Sequence, residues 1–193
     1  RWSQSLGSWD FALSRFRGTA RAPRMVVAGP SLTPVYDLID QTGLELQYTS
    51  GDWLFKLEAM SRSGQGPQFR AAVGGVEWTL PGTFGSNADL GLLVEYNRDT
   101  RDPALAPATF YDDDVFVGAR LALNDIGDSS LLAGALIDRN TPTRVLFIEG
   151  QRRFGDSWVL GLKGRFFTGA ALPDPIAAVN SDDFLTLTLK RSF

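Results

Sequence analysis

The charged residues with a regular spacing in this chain share one alternation parity, and the chemistry they offer is electrostatic. Glu45, Glu58, Glu77 and Glu95 fall on one side of period-two runs in the first part of the chain, with Lys56 the base among them. Arg120, Arg153, Lys163, Arg165 and Lys190 take that side in the second part, with Glu149 the acid among them. An acidic wall facing a basic one across a water-filled space would impose a transverse field, which orients dipolar solutes and makes their passage depend on charge. In a narrow, packed interior the same groups would instead pair with one another, because buried charges need partners.

Covalent and metal chemistry find little to work with. The 193 residues include neither Cys nor His, which removes disulfides, thiolate sites, His-dependent triads and dyads, the usual His-containing zinc sites and imidazole pH switches. Carboxylate pairs support glycoside hydrolysis only at a defined separation, and nothing in the spacing defines one. Asp112-Asp113-Asp114 and Asp182-Asp183 offer oxygens to calcium but lack the spaced pattern of a calcium loop, and read as solvated loop ends. Gly74-Gly75 falls within a strand, where it marks a bend or close packing rather than a phosphate loop. The expectation is no catalytic residue, no metal and no cofactor. A formal net charge of -3 with no basic run also argues against a nucleic-acid partner.

The elements that must position the charges are strands. Alternation and turn residues divide the chain into ten, at roughly 9–17, 39–50, 53–62, 69–80, 88–98, 114–124, 129–139, 144–154, 158–167 and 183–193, each near the length needed to cross a bilayer obliquely. Arg1-Trp2-Ser3-Gln4-Ser5, ahead of the turn at Leu6-Gly7-Ser8-Trp9, reads as the tail of a preceding strand, and Arg1 as a cut inside a longer protein. Connections at 51–52, 81–87, 125–128 and 155–157 are short. Those at 18–38, 99–113 and 168–182 are long, with shorter members of the same set at 63–68 and 140–143. The segment 18–38 is expected to be a loop without regular structure, its Arg17, Arg21 and Arg24 facing solvent, constricting the interior or meeting lipid phosphates. No window of about 18 apolar residues is present for a transmembrane helix, but strands hide membrane character in their period rather than in their mean hydropathy.

On the parity opposite the charges the strand middles are apolar: Phe55/Leu57/Ala59, Leu90/Leu92/Val94, Val117/Ala119/Leu121/Leu123, Leu131/Ala133/Ala135/Ile137 and Leu160/Leu162. Arg15, Arg152 and Arg191 share that parity near strand ends, where a long side chain reaches head groups at small cost. Trp2, Trp9, Trp53, Trp78 and Trp158 fall at the ends joined by short turns, as an interfacial girdle would; Tyr96, Tyr111 and Phe166 fall near the other end. A soluble antiparallel barrel or sandwich also alternates, but would not need charges excluded by depth.

The last strand runs Leu185, Leu187 and Leu189 on one side, Thr186, Thr188 and Lys190 on the other, and ends on Phe193. It resembles the closing strand of Gram-negative outer-membrane β-barrels, with Arg191 departing from the pattern where an apolar or aromatic residue is more usual. Short turns on one side, long loops on the other and the aromatic girdle extend the resemblance over the whole chain. It implies an all-β, antiparallel up-and-down transmembrane barrel, with residues 1–193 a single domain forming the C-terminal portion of a longer, porin-like barrel integral to the outer membrane. Its implied partners are outer-membrane lipids and lipopolysaccharide, the barrel-assembly machinery through the last strand, and small hydrophilic solutes passing the charged lumen. The alternative is a closed barrel serving as a scaffold or binding surface partners through loops 18–38, 99–113 and 168–182; a translocation or anchoring domain of a longer secreted protein is a further one. Barrel enzymes of this class rely on a catalytic His, so an enzyme is not expected.

Overall fold

The structure is a computed structural model and describes residues 1–192. Phe193, the expected closing aromatic, lies outside the described residues. The strands are β1 (Trp2–Leu6), β2 (Trp9–Thr19), β3 (Arg24–Ala28), β4 (Ser31–Val35), β5 (Leu38–Ser50), β6 (Trp53–Ser63), β7 (Phe69–Thr83), β8 (Ala88–Asp99), β9 (Asp113–Ala122), β10 (Ser130–Asp138), β11 (Arg144–Phe154), β12 (Trp158–Thr168) and β13 (Phe184–Arg191). Among the described residues, eleven of them form one antiparallel sheet in the order β1-β2-β5-β6-β7-β8-β9-β10-β11-β12-β13, each hydrogen-bonded to its chain neighbours. This is the up-and-down arrangement of ten long strands preceded by a short one. The sheet is not closed into a barrel: β1 and β13 are its two edges and do not pair with each other.

Tight turns follow from local chemistry. Gly7, Gly51 and Gly155 hold positive φ at three short connections, a conformation that side chains resist. The β7–β8 connection is shorter than expected because β7 runs on to Thr83, with a register irregularity between Leu80 and Thr83.

The largest difference from expectation lies in 18–38, which is not an unstructured loop. Met25-Val26-Val27 pairs with Leu32, Thr33 and Pro34 in a two-stranded hairpin of β3 and β4, turning at Gly29-Pro30 with Gly29 at φ 61°. β-Branched residues favour the extended chain, and Pro34 is tolerated because both strands of a two-stranded sheet are edges. Arg24 at the hairpin base clasps Asp37 with two hydrogen bonds of 3.2 Å. The connection between β12 and β13 also gains structure, a 3₁₀ turn at Pro175–Val179 capped by Asp174.

Side chains sort onto two faces. Strand-to-strand contacts run between sheet neighbours, and no second layer packs on the apolar face among the described residues. Val94 is 47 % exposed, Leu146 45 % and Leu187 68 %, values opposite to those of a packed core. Among the described residues no helix is long and apolar enough to cross a membrane, which leaves crossing by strands open. The 12-residue β8, at ~3.4 Å per residue and tilted by ~40°, spans roughly 30 Å along a barrel axis.

Candidate functional site

The polar parity forms one continuous face, called here the inner face. Glu45 lies opposite Glu58 on β5 and β6, and Gln47 opposite Lys56. Glu95 lies on β8 opposite Phe116 of β9. Further along the sheet, Glu149 of β11 faces Leu132 of β10 on one side and Lys163 of β12 on the other, while Arg165 faces Phe147 and Phe184. Arg153 and Lys190 both pair in register with Val159 near the short-turn end of β12. These acids and bases share a face, with the acids other than Glu149 on β5 to β8 and the bases other than Lys56 on β9 to β13.

The two walls are not separate along their seam. Glu77 of β7 reaches across β8 to form an ion pair with Arg120 of β9. Gly91 makes this crossing possible, because a Cβ there would lie 2.9 Å from the Glu77 carboxylate. Within the basic wall Lys163 meets Glu149 at 3.3 Å, and within the acidic wall Arg1 meets Glu45 at 2.5 Å. Glu58 and Glu95 carry no ion pair among the described residues, so the acidic wall keeps net charge. Glu77 is buried while its partner Arg120 is half-exposed; Arg1, Glu45, Glu149 and Lys163 are about half exposed, which keeps their pairs weak and their charges felt.

Two inner-face features were missed in the sequence. Arg62 shares the parity of Lys56 and Glu58 and places a cation high on the acidic wall, bonded to Gln41 at 2.6 and 2.8 Å and lying 5.7 Å over the Phe69 ring, with Arg101 over the same ring at 4.9 Å. Parity alone would have revealed it. The second is apolar: Val73, Phe116, Leu132, Leu136 and Phe147 line a cavity of about 400 Å³, edged by Glu95, Asn97, Tyr111, Asp114 and Glu149. Phe116 lies flat over Gly118 and Gly134, whose absent Cβ atoms would fall 2.8 and 2.6 Å from its Cζ, and it meets Phe147 edge-on at 6.2 Å. Arg165 stacks over Phe147 at 5.3 Å. Gly75 likewise leaves room for Glu95, since a Cβ would come within 2.6 Å of its Cγ; close packing explains Gly75, whereas a Cβ at Gly74 would meet Leu57 at an ordinary 3.5 Å.

On the opposite, outer face the aromatic residues form a connected band at the short-turn end. Trp9 and Tyr48 lie 4.3 Å apart, Tyr48 and Phe55 6.2 Å, Phe55 and Trp53 6.2 Å, and Trp53 stacks on Trp78 at 5.3 Å with planes 5° apart. Trp158 belongs to the same end and carries Arg191 over its ring at 5.3 Å. Trp2 sits higher than expected, in register with Leu13 rather than at the turn, and touches Phe11. Tyr96 and Phe166 lie on the outer face toward the long-loop end, whereas Tyr111 lies in the β8–β9 loop and edges the inner cavity instead.

The three consecutive aspartates are dispersed by alternation. Asp113 points outward, bonding the Tyr96 hydroxyl at 2.9 Å and pairing with Arg98 at 2.5 Å and Arg139 at 3.0 Å, while Asp114 turns inward. Attraction to Asp113 holds the Arg139 guanidinium above its ordinary value. Among the described residues no group of three or more carboxylates is arranged to hold a metal ion. In the β9–β10 turn, the backbone N–H of Ser129 bonds Asp125 at 2.8 Å and its hydroxyl at 2.9 Å, and these bonds hold the carboxyl below the usual range.

No family model, curated protein or solved structure matches this chain.

Proposed function

We propose that the chain forms the wall of an outer-membrane, porin-like channel that passes small hydrophilic solutes along its charged inner face. The observation that carries this reading is the outer face. Exposed Leu, Val, Phe and Trp extend from β1 to β13, ending at one edge in aromatic rings; among the described residues Arg15, seventh of the eleven residues of β2 and paired with Asp40 at 2.8 Å, is the one charged side chain on this face away from the strand ends. Water would penalise such a surface across a whole sheet, whereas a bilayer favours it, and the interfacial rings match its head-group zone. Lipid also supplies no hydrogen bonds to open strand edges, so β1 and β13 need partner strands, and closure into a barrel satisfies both. Glu58, Glu95, Lys163 and Arg165 then become the selectivity elements, and the ends of β12 and β13 offer the surface the assembly machinery would read.

One observation favours the closed-scaffold alternative: Phe116, Phe147 and the Glu77–Arg120 and Glu149–Lys163 pairs fill and neutralise part of the inner face. Planar-bilayer recording on the full-length protein decides between them. Stable conductance steps with a reversal potential in a salt gradient are expected. A protein proven to be inserted, yet silent, would overturn the channel and leave the long-loop surface as the functional part.

A further inference from the structure

Between the acidic wall and the basic one, the charged pattern of the inner face is interrupted. Val73, Phe116, Leu132, Leu136 and Phe147 put an apolar floor there, in the cavity of about 400 Å³. A hydrophilic solute gains nothing from such a floor, whereas an apolar body covering it releases water from both surfaces. The volume falls within the range of roughly 300–1,000 Å³ typical of small-molecule sites.

The charges around the floor are sorted by side. On the β8–β9 side, Glu95 lies directly opposite Phe116 in register and carries no ion pair among the described residues. Asp114, opposite Asn97, is only 1 % exposed, and its Oδ2 has no hydrogen-bond partner among the described residues. Burial leaves the charge of that carboxylate poorly screened, and a cation in the cavity is the neighbour it lacks. On the β11–β12 side, Glu149 is already held by Lys163 at 3.3 Å. Arg165 spreads over Phe147 at 5.3 Å from outside the cavity, whose lining holds three carboxylates and no cation among the described residues. Toward the short-turn end Arg120 is taken by Glu77.

We propose that this cavity is a binding site for an amphipathic organic cation of the arylalkylammonium class, its ring on Phe116 and Phe147 and its ammonium on Glu95. The site names a class of solute for the channel and rests on the inner face being open to water. Register sets the length of the ligand. Side chains directly opposite one another have Cβ atoms ~5 Å apart, so a ring over Phe116 needs only a short alkyl link to bring an ammonium to Glu95.

The test uses the full-length protein in lipid nanodiscs, with empty nanodiscs as the blank. Equilibrium dialysis follows three matched probes: naphthylethylammonium, the neutral naphthylethanol and the anionic naphthylacetate. The expected result is tightest retention of the ammonium, lowered roughly tenfold in Glu95→Gln, which keeps the side chain's shape, while the alcohol is held as before. Phe147→Leu keeps the floor apolar but removes a ring, and should weaken the ammonium and the alcohol alike, each severalfold. Equal retention of ammonium and alcohol, no loss in Glu95→Gln, or preference for naphthylacetate overturns the site. Planar-bilayer recording with the same ammonium separates the site from the channel. Conductance steps interrupted by the ammonium, and interrupted more briefly in Glu95→Gln, support both. Steady conductance without retention overturns the site and leaves the channel; retention by an inserted but silent protein keeps the site and removes the channel.

Discussion

Val94→Arg separates a lipid-facing sheet from a water-facing one by magnitude. Val94 lies midway along β8, on the outer face, in register with Val117 of β9 and Val76 of β7, and is 47 % exposed. On a water-exposed surface such a substitution costs within about 0.5 kcal/mol, and an exposed Arg in place of Val can even improve solubility. At the midplane of a bilayer the same side chain costs about 2–4 kcal/mol, falling to about 0–1 kcal/mol near an interface. The folding equilibrium in vesicles should therefore drop roughly 30- to 1,000-fold for Val94→Arg. Leu90→Arg, toward the tryptophan end of the same strand and face, should lose clearly less. Native Arg98, four residues further toward the long-loop end, already shows that the rim accepts a guanidinium. Urea-driven unfolding from phospholipid vesicles, followed by tryptophan fluorescence, measures the costs. Equal costs at Leu90 and Val94, both within about 0.5 kcal/mol of the parent, would refute the depth argument and with it the membrane reading.

Three further outcomes follow from particular residues. Lys163→Glu/Arg165→Glu should move the reversal potential toward cation preference, because it leaves Glu149 without its partner and adds two acids to the basic wall; Arg24→Glu, engaged with Asp37 at the hairpin, should do much less, and equal shifts would remove the claim. Gly134→Ala places a Cβ 2.6 Å from Phe116 Cζ and 2.8 Å from the Val117 carbonyl oxygen, so the ring must leave its seat at a cost of about 1–3 kcal/mol in denaturant unfolding; an unchanged midpoint would show that the ring is not held there. Asp125 should titrate below the ordinary carboxylate value in an NMR pH series, and Ser129→Ala should raise it. Its folded pKa is depressed, so the contribution of this turn to stability is present above the unfolded pKa and lost as pH falls through the folded one. An ordinary midpoint in the parent would deny the Ser129 hydrogen bonds.

The strands themselves were legible because period two is a local signal: alternating side chains must face opposite sides of an extended chain whatever lies beyond it. That rule alone gathers Glu45, Glu58, Glu77 and Glu95 onto the face that also holds Lys163 and Arg165. It also reveals Trp9, Trp53, Trp78 and Trp158 as one edge, since turn length marks which strand ends lie together. The β3–β4 hairpin was hidden because a two-stranded element with Pro34 on one strand gives a short, imperfect alternation. Partners across the sheet were hidden for a deeper reason. Which acid meets which base depends on register and on whether a glycine intervenes: Glu77 reaches Arg120 only because Gly91 leaves β8 bare between them. The seat of Phe116 over Gly118 and Gly134, and the gathering of Arg98 and Arg139 on Asp113, arise the same way, from residues far apart in the chain. The amino-acid order by itself determined which face each side chain takes; only pairing of the strands decided which side chains touch, because register is a property of two strands at once.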